Sequence, residues 1–317
     1  MLAVYTQLII PWHTEFARAN KTLAERIERF CQNPANPGEY QEARSAWQTS
    51  FLAWQPINLL QFGPVTHNNL RTTLYFWPDH FNWVEKHINN RLNQSDANNS
   101  ELSSPSAALG LAEMEYLLFD TAYTDNAALT GIPCDLLRSA SNQISTQAET
   151  LLRHWQEGKL DAWQAQSLTP GSEAEKIALA NITSSLITSF TRITQEELIA
   201  PIENLNKPVA KPLISQAWRA NLGKTAFLTE LKSANALIHL GLAPLLKTPQ
   251  QQALKRTLTE DLNQLSAELT NTPGELVFLI NTERGRAQLT EAAERMQKML
   301  DILNAIAQTL NSDAARG

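Results

Sequence analysis

This chain of 317 residues lacks most of the features that announce a function directly. It has no long basic run and a net charge of −6, which excludes nucleic acid as an expected partner. No window approaches 18 uninterrupted apolar residues, so no transmembrane segment is expected. Met1 to Pro11 has no positive n-region and is too polar for an intact signal peptide. The chain is therefore expected either to be cytoplasmic or to have lost a leader. There are only two cysteines, Cys31 and Cys134, too few for a structural zinc site and enough for one disulfide or two separate buried thiols. No His-Glu-x-x-His pair and no Gly-x-Ser-x-Gly elbow occurs. Gly223-Lys224-Thr225 imitates the end of a phosphate loop, but Trp218 stands where the first glycine belongs and no strand precedes it. Thr225 is read instead as a helix cap. The six histidines read as surface or internally satisfied residues, although His80 and His87 are spaced to share a helix face across Val84.

Alternating strand patterns are nearly absent as well. Leu276-Val277-Phe278-Leu279-Ile280 is the only β-like run. Helical spacing fills the rest: Trp12 to Phe30, Tyr40 to Trp54, Leu137 to Trp155, Leu228 to Leu242 and Leu289 to Leu310 each carry an apolar stripe stepping by three and four. With 43% hydrophobic and 18% charged residues, a packed core is expected. Pro34, Pro37 and Gly38 separate the first two helices, and Gln61–Pro78 has no clean period. Asn89–Ser104 is polar and reads as a surface loop. Gly158–Gly171 reads as a connection, and Pro201, Pro208 and Pro212 mark a second irregular stretch. The expected fold is all-α, in two helical-bundle-like halves of 1–157 and 172–317, a plan that hints at an old duplication. Seven of the eight tryptophans fall at or before Trp163, so the first half should carry the heavier aromatic packing.

One segment stands out chemically. Ser104 to Phe119 reads as a helix capped by Ser104 with Pro105 in its first turn. Glu113 and Glu115 lie in its most apolar part. Their helical neighbours are Leu109, Gly110, Tyr116 and Leu117 for Glu113, and Leu111, Ala112, Leu118 and Phe119 for Glu115. A buried carboxylate needs a cation, a metal or hydrogen bonds from elsewhere, or its pKa must rise. Such expense often marks a site, although an arginine or backbone amides can supply the partner for purely structural ends. Arg71 and Arg219 are the arginines placed to supply it, with Trp77 and Asp79 as weaker candidates for a pocket wall.

Gly110-Leu111-Ala112-Glu113-Met114-Glu115-Tyr116-Leu117-Leu118-Phe119 resembles the signature of the imelysin-like family, Gly-x-His-x-x-Glu followed by an aromatic, two leucines and another aromatic. Phe30–Pro34, Ala43–Trp47 with Trp54, Phe62–Val65, Cys134–Trp155 and Gln216–Leu242 resemble further family segments in order. The resemblance implies a two-domain helical fold with its site near the domain junction. It implies an exported protein, periplasmic or a lipoprotein, linked to iron uptake and to membrane components of that process, and in some members described as a metallopeptidase. Gly110 and Glu115 keep the motif, but Ala112 replaces its histidine, and a methyl group neither ligates a metal nor accepts a proton. Glu113 and Glu115 point about 200° apart on a helix, so they do not share one ion. The expected function is a non-enzymatic binding protein for a small ligand or for iron or another divalent metal, with Glu115 as the one retained metal-ligating candidate. A peptidase with a relocated ligand set, and a helical interaction protein with a decayed site, are the alternatives. At the variable motif position, Glu113 is expected to have an ordinary structural partner.

Overall fold

The structure, a computed structural model, describes residues 2–93, 110–123, 128–157, 173–203 and 215–314. Among the described residues there is no strand, and eleven helices carry the fold. In the first half these are α1 (Ile10–Gln32), α2 (Pro37–Asn58), α3 (Leu70–Leu74), α4 (Trp83–Asn93), α5 (Leu111–Phe119) and α6 (Ile132–Gln156). In the second they are α7 (Glu173–Arg192), α8 (Gly223–Leu237), α9 (Pro249–Asn271), α10 (Leu276–Asn281) and α11 (Glu283–Ala314). Three π-helical turns extend these helices: Tyr5–Ile9 before α1, Ile193–Ile199 after α7 and Ile238–Leu242 after α8.

The starts of the long helices follow local chemistry. The Asn36 side chain accepts a hydrogen bond from the Gly38 amide, and Pro37 opens α2. Thr248 and Gln251 form a reciprocal capping box at α9, again with proline first. The apolar stripes then pack. Helix α1 lies against α2 and α6, and α5 packs on α6, α2 and α4. Phe16, Trp47, Trp54 and Trp155 are fully buried there. In the second half α11 packs against α7, α9 and α10, and α8 lies on α9. The halves meet where α8 crosses α2 and where the N-terminal turn abuts Ile238–Leu242. Cys31 and Cys134 are disulfide-bonded, with Cα atoms 5.6 Å apart, tying the end of α1 to the start of α6.

Several local expectations change. The β-like run is helix α10, because Leu276, Leu279 and Ile280 are buried at helical spacing. Asn89 to Asn93 belong to α4, whose Val84 and Ile88 face inward, and 94–104 lie outside the described residues. His80 precedes α4, so it shares no helix face with His87. Helix α8 begins at Gly223, and Thr225 does not cap it. The Glu275 carboxylate does, accepting from the Lys224 and Thr225 amides at 2.7 and 3.4 Å, while the Thr225 hydroxyl donates to the same carboxylate. Pro201 is buried within the helical turn Ala200–Glu203 and breaks nothing. Pro208 and Pro212, like Gly158–Gly171, lie outside the described residues.

Candidate functional site

Helix α5 starts later than its apolar pattern suggests. Gly110 has φ +148°, so the helix cannot run through it and begins at Leu111. Ser104 and Pro105 lie outside the described residues. A Cβ on Gly110 would stand 2.5 Å from the Thr73 carbonyl oxygen and 2.7 Å from that of Leu74. Only glycine fits this approach. The indole of Trp47 donates to the Leu111 carbonyl at 2.9 Å and fixes the first turn on α2. Ala112 is half-buried and shares a face with Glu115, one turn apart.

Glu115 is buried and bound by backbone. Its Oε1 accepts from the amides of Arg219 at 2.8 Å and Ala220 at 3.2 Å. Burial pushes its carboxyl up to about 7, while the Arg219 guanidinium and the two amides pull the other way. The Arg219 side chain itself does not reach Glu115: its Nε donates to Asp120 Oδ2 at 2.7 Å. The turn 215–222 thus docks on α5 through its main chain, and the Ala217 amide adds a bond to the buried Tyr75 hydroxyl at 2.9 Å. Ala217 and Asn221 take positive φ of 47° and 55° to make this turn. Glu113 differs from the expectation. It is fully buried, and neither carboxylate oxygen has a hydrogen-bond partner. Burial pushes it up to about 8, against the pull of Arg91.

Arg71 serves a different group of residues. It donates to Asn58 Oδ1 at 2.7 Å and to the carbonyls of Asn58 and Leu60, with its Cζ 5.9 Å from the Trp54 ring. Burial and the nearby Arg192 lower it to about 10. Arg192 binds Glu197 at 2.6 Å and also Glu230, and both carboxylates are fully buried. Gln216 Nε2 donates to Glu197 at 2.9 Å, and Asn58 approaches Glu230 at 3.5 Å. Burial and then Glu230 raise Glu197. This network crosses the seam between the halves beside the Glu115 turn, and sequence reasoning missed it. The available signal was the one that exposed Glu115: at positions three and four away Glu197 has Ile193, Ala200 and Pro201, and Glu230 has Ala226, Phe227 and Ala234.

The weaker candidates have structural duties. Asp79 Oδ1 and Oδ2 accept from the amides of Trp83 and Val84 at 2.7 and 2.9 Å and cap α4. The Trp77 ring lies 5.7 Å from Arg192 Cζ. His13 is internally satisfied: Trp155 donates to its Nε2, so Nδ1 carries the proton given to the Ile9 carbonyl, and burial lowers it to about 4.

Set beside known proteins, the imelysin family model, which carries a peptidase label, matches residues 9–313. The chain belongs to the imelysin family. No curated protein matches it. Among solved structures, an imelysin-like protein from Psychrobacter arcticum 273-4 is 20% identical, with a TM-score of 0.75 over 95% of this chain and 90% of that one. A protein described as an iron-regulated protein A precursor from Parabacteroides distasonis ATCC 8503 is 12% identical, with a TM-score of 0.69 over 96% and 93%. These likenesses show the all-α imelysin fold. Among the described residues no three His, Cys, Asp or Glu side chains converge, and Ala112 has no ligating atom. Clefts of about 420 and 330 Å³ open along α11, one against α9 and one against Ile193–Glu203, and no motif residue lines either. No helix among the described residues is long and apolar enough to cross a membrane.

Proposed function

We propose that this imelysin-family chain is an exported, non-enzymatic binding protein of iron or metal acquisition, which holds a small ligand where α5 meets the turn 215–222. The observation that carries the proposal is Glu115: a buried carboxylate at the retained motif position, tied by two main-chain amides to a strained turn of the other half. Gly110 allows the close backbone approach that seats it. Arg219 completes the site, with Ala112 beside Glu115, while Arg71 and Trp77 support the adjoining network and Asp79 fixes α4. Export is supported by the Cys31–Cys134 disulfide, which persists in oxidising compartments. The iron link is supported by family membership and by the iron-regulated relative. A bare metal ion is the poorer occupant, because Glu115 alone offers one carboxylate. The same poverty of ligands argues against a zinc peptidase.

The backbone ties of Glu115 favour one second reading, a helical interaction protein whose site has decayed. A thermal-shift screen against small carboxylates, phosphates and metal chelates separates the two. A stabilising ligand whose effect is lost in Glu115→Gln supports binding. Stability loss in that variant with no responsive ligand supports the decayed site.

A further inference from the structure

The geometry points to Arg219 as an open guanidinium fork that receives the carboxylate group of a small ligand at the seam. This inference rests on the seam being a binding site and is independent of any iron link. The guanidinium is held from several directions. Nε donates to Asp120 Oδ2 at 2.7 Å. Cζ lies 4.8 Å from the ring centroid of Tyr116 and 4.2 Å from that of Trp218. The residue's own amide is bound to Glu115. Nη1 and Nη2, by contrast, have no hydrogen-bond partner among the described residues, and the side chain keeps 14% of its exposure. Arg71 and Arg192, the other arginines of the seam, spend both terminal nitrogens or all their reach on protein acceptors. Arg219 is thus pre-oriented and partly exposed, with Nη1 and Nη2 unspent among the described residues.

That edge suits one class of group. Two parallel N–H donors match the two oxygens of a planar carboxylate, and the flanking aromatic rings favour a flat partner. Asp120 already neutralises the arginine, and Glu115 stands close by, so net charge does not draw anions here. A multiply charged tetrahedral anion gains little, and recognition depends on the fork. Both oxygens of Asp120 are engaged: its Oδ1 accepts from the Ala122 amide at 3.0 Å while its Oδ2 holds Nε. The backbone strain at Ala217 and Asn221, which bracket Trp218-Arg219-Ala220, presents the residue in this pose.

Isothermal titration of the full chain with sodium acetate and sodium succinate, against sodium sulfate and sodium phosphate at constant ionic strength, tests the inference. Saturable one-to-one binding of the carboxylates is expected, with sulfate and phosphate at least about tenfold weaker. Arg219→Lys keeps the charge, removes the fork and should weaken acetate by about tenfold or more. Because that variant could loosen the turn, wild-type protein carrying ¹⁵N-arginine is titrated in parallel. Acetate should shift the Nη resonance that Arg219→Lys deletes. Absent saturable binding, equal affinity in a folded Arg219→Lys, or sulfate bound as tightly as acetate would each overturn the fork. A metal chelate that still stabilises Arg219→Lys would leave the binding reading intact while removing this part of it.

Discussion

Glu113 and Glu115 stand two residues apart on one helix and meet opposite treatment. The amides of Arg219 and Ala220 compensate Glu115, whereas Glu113 is buried with both oxygens unpaired. Burial raises both, so each destabilises the folded protein as pH rises. For Glu113 the window runs from about 4.5, where the unfolded chain gives up its proton, to about 8, where the folded chain does. Urea denaturation should therefore find Glu113→Gln close to wild type near pH 4 and more stable by about 4–5 kcal/mol near pH 9. A variant no more stable than wild type near pH 9 would place a hidden partner on this acid. Position 112 allows a second test. Ala112→His sets an imidazole one turn from Glu115, and zinc titration should show binding stronger than wild type by about tenfold or more. Unchanged zinc binding would mean that the surrounding residues, and not the single missing histidine, abolished the metal site. The cost of both acids was legible in the sequence because no helical neighbour of either is polar. Which acid received partners was not, since those partners come from a turn about a hundred residues away.

At the scale of elements, glycine decides where the motif helix starts. The apolar pattern continues smoothly through residues 107–111 and predicts a longer helix. The left-handed φ of Gly110 and its contact with the α3 carbonyls end that continuity. Gly110→Ala should cost about 3 kcal/mol or more in thermal or chemical unfolding, as strain and overlap act together. A loss under about 1 kcal/mol would show that the Thr73–Leu74 backbone yields easily. Helix α10 teaches a related lesson. Five successive apolar residues carry no period of their own, and only burial of Leu276, Leu279 and Ile280 selects the helix. At α8, the capping role assigned to Thr225 passed to Glu275, which reaches in from the start of α10.

For the whole molecule, the seam depends on buried charge. Removing one member of the Arg192–Glu197–Glu230 group strands the others, so Glu230→Ala should cost about 3–5 kcal/mol by urea denaturation. A cost near zero would mean that water enters the seam freely. The disulfide acts at longer range. It spans 103 residues, and the chain-entropy model gives about 4–5 kcal/mol for a loop of that size. Cys31→Ser with Cys134→Ser should lower stability by that order, and reductant should leave the double variant unaffected while destabilising wild type. Equal reductant sensitivity of the two proteins would refute the bridge as the cause.

Local information was enough for the all-α class, for five of the seven helices of 15 residues or more, with α7 and α9 not singled out, and for the family, because 3.6-residue periodicity and the Gly110–Phe119 signature are short-range properties. It also isolated Glu115, since a charged residue in an apolar helix is conspicuous without any structure. Tertiary structure alone decided that main-chain amides hold Glu115, that Arg219 turns to Asp120, and that Arg71 belongs with Asn58 beside a buried ionic network. It also joined the two cysteines. Glu115 and Asp120 stand about a hundred residues from Arg219, and only the docking of the turn before α8 onto the first half brings them within a hydrogen bond's reach, whereas Arg71 meets Asn58 within the first half and the cysteines meet where α1 packs on α6.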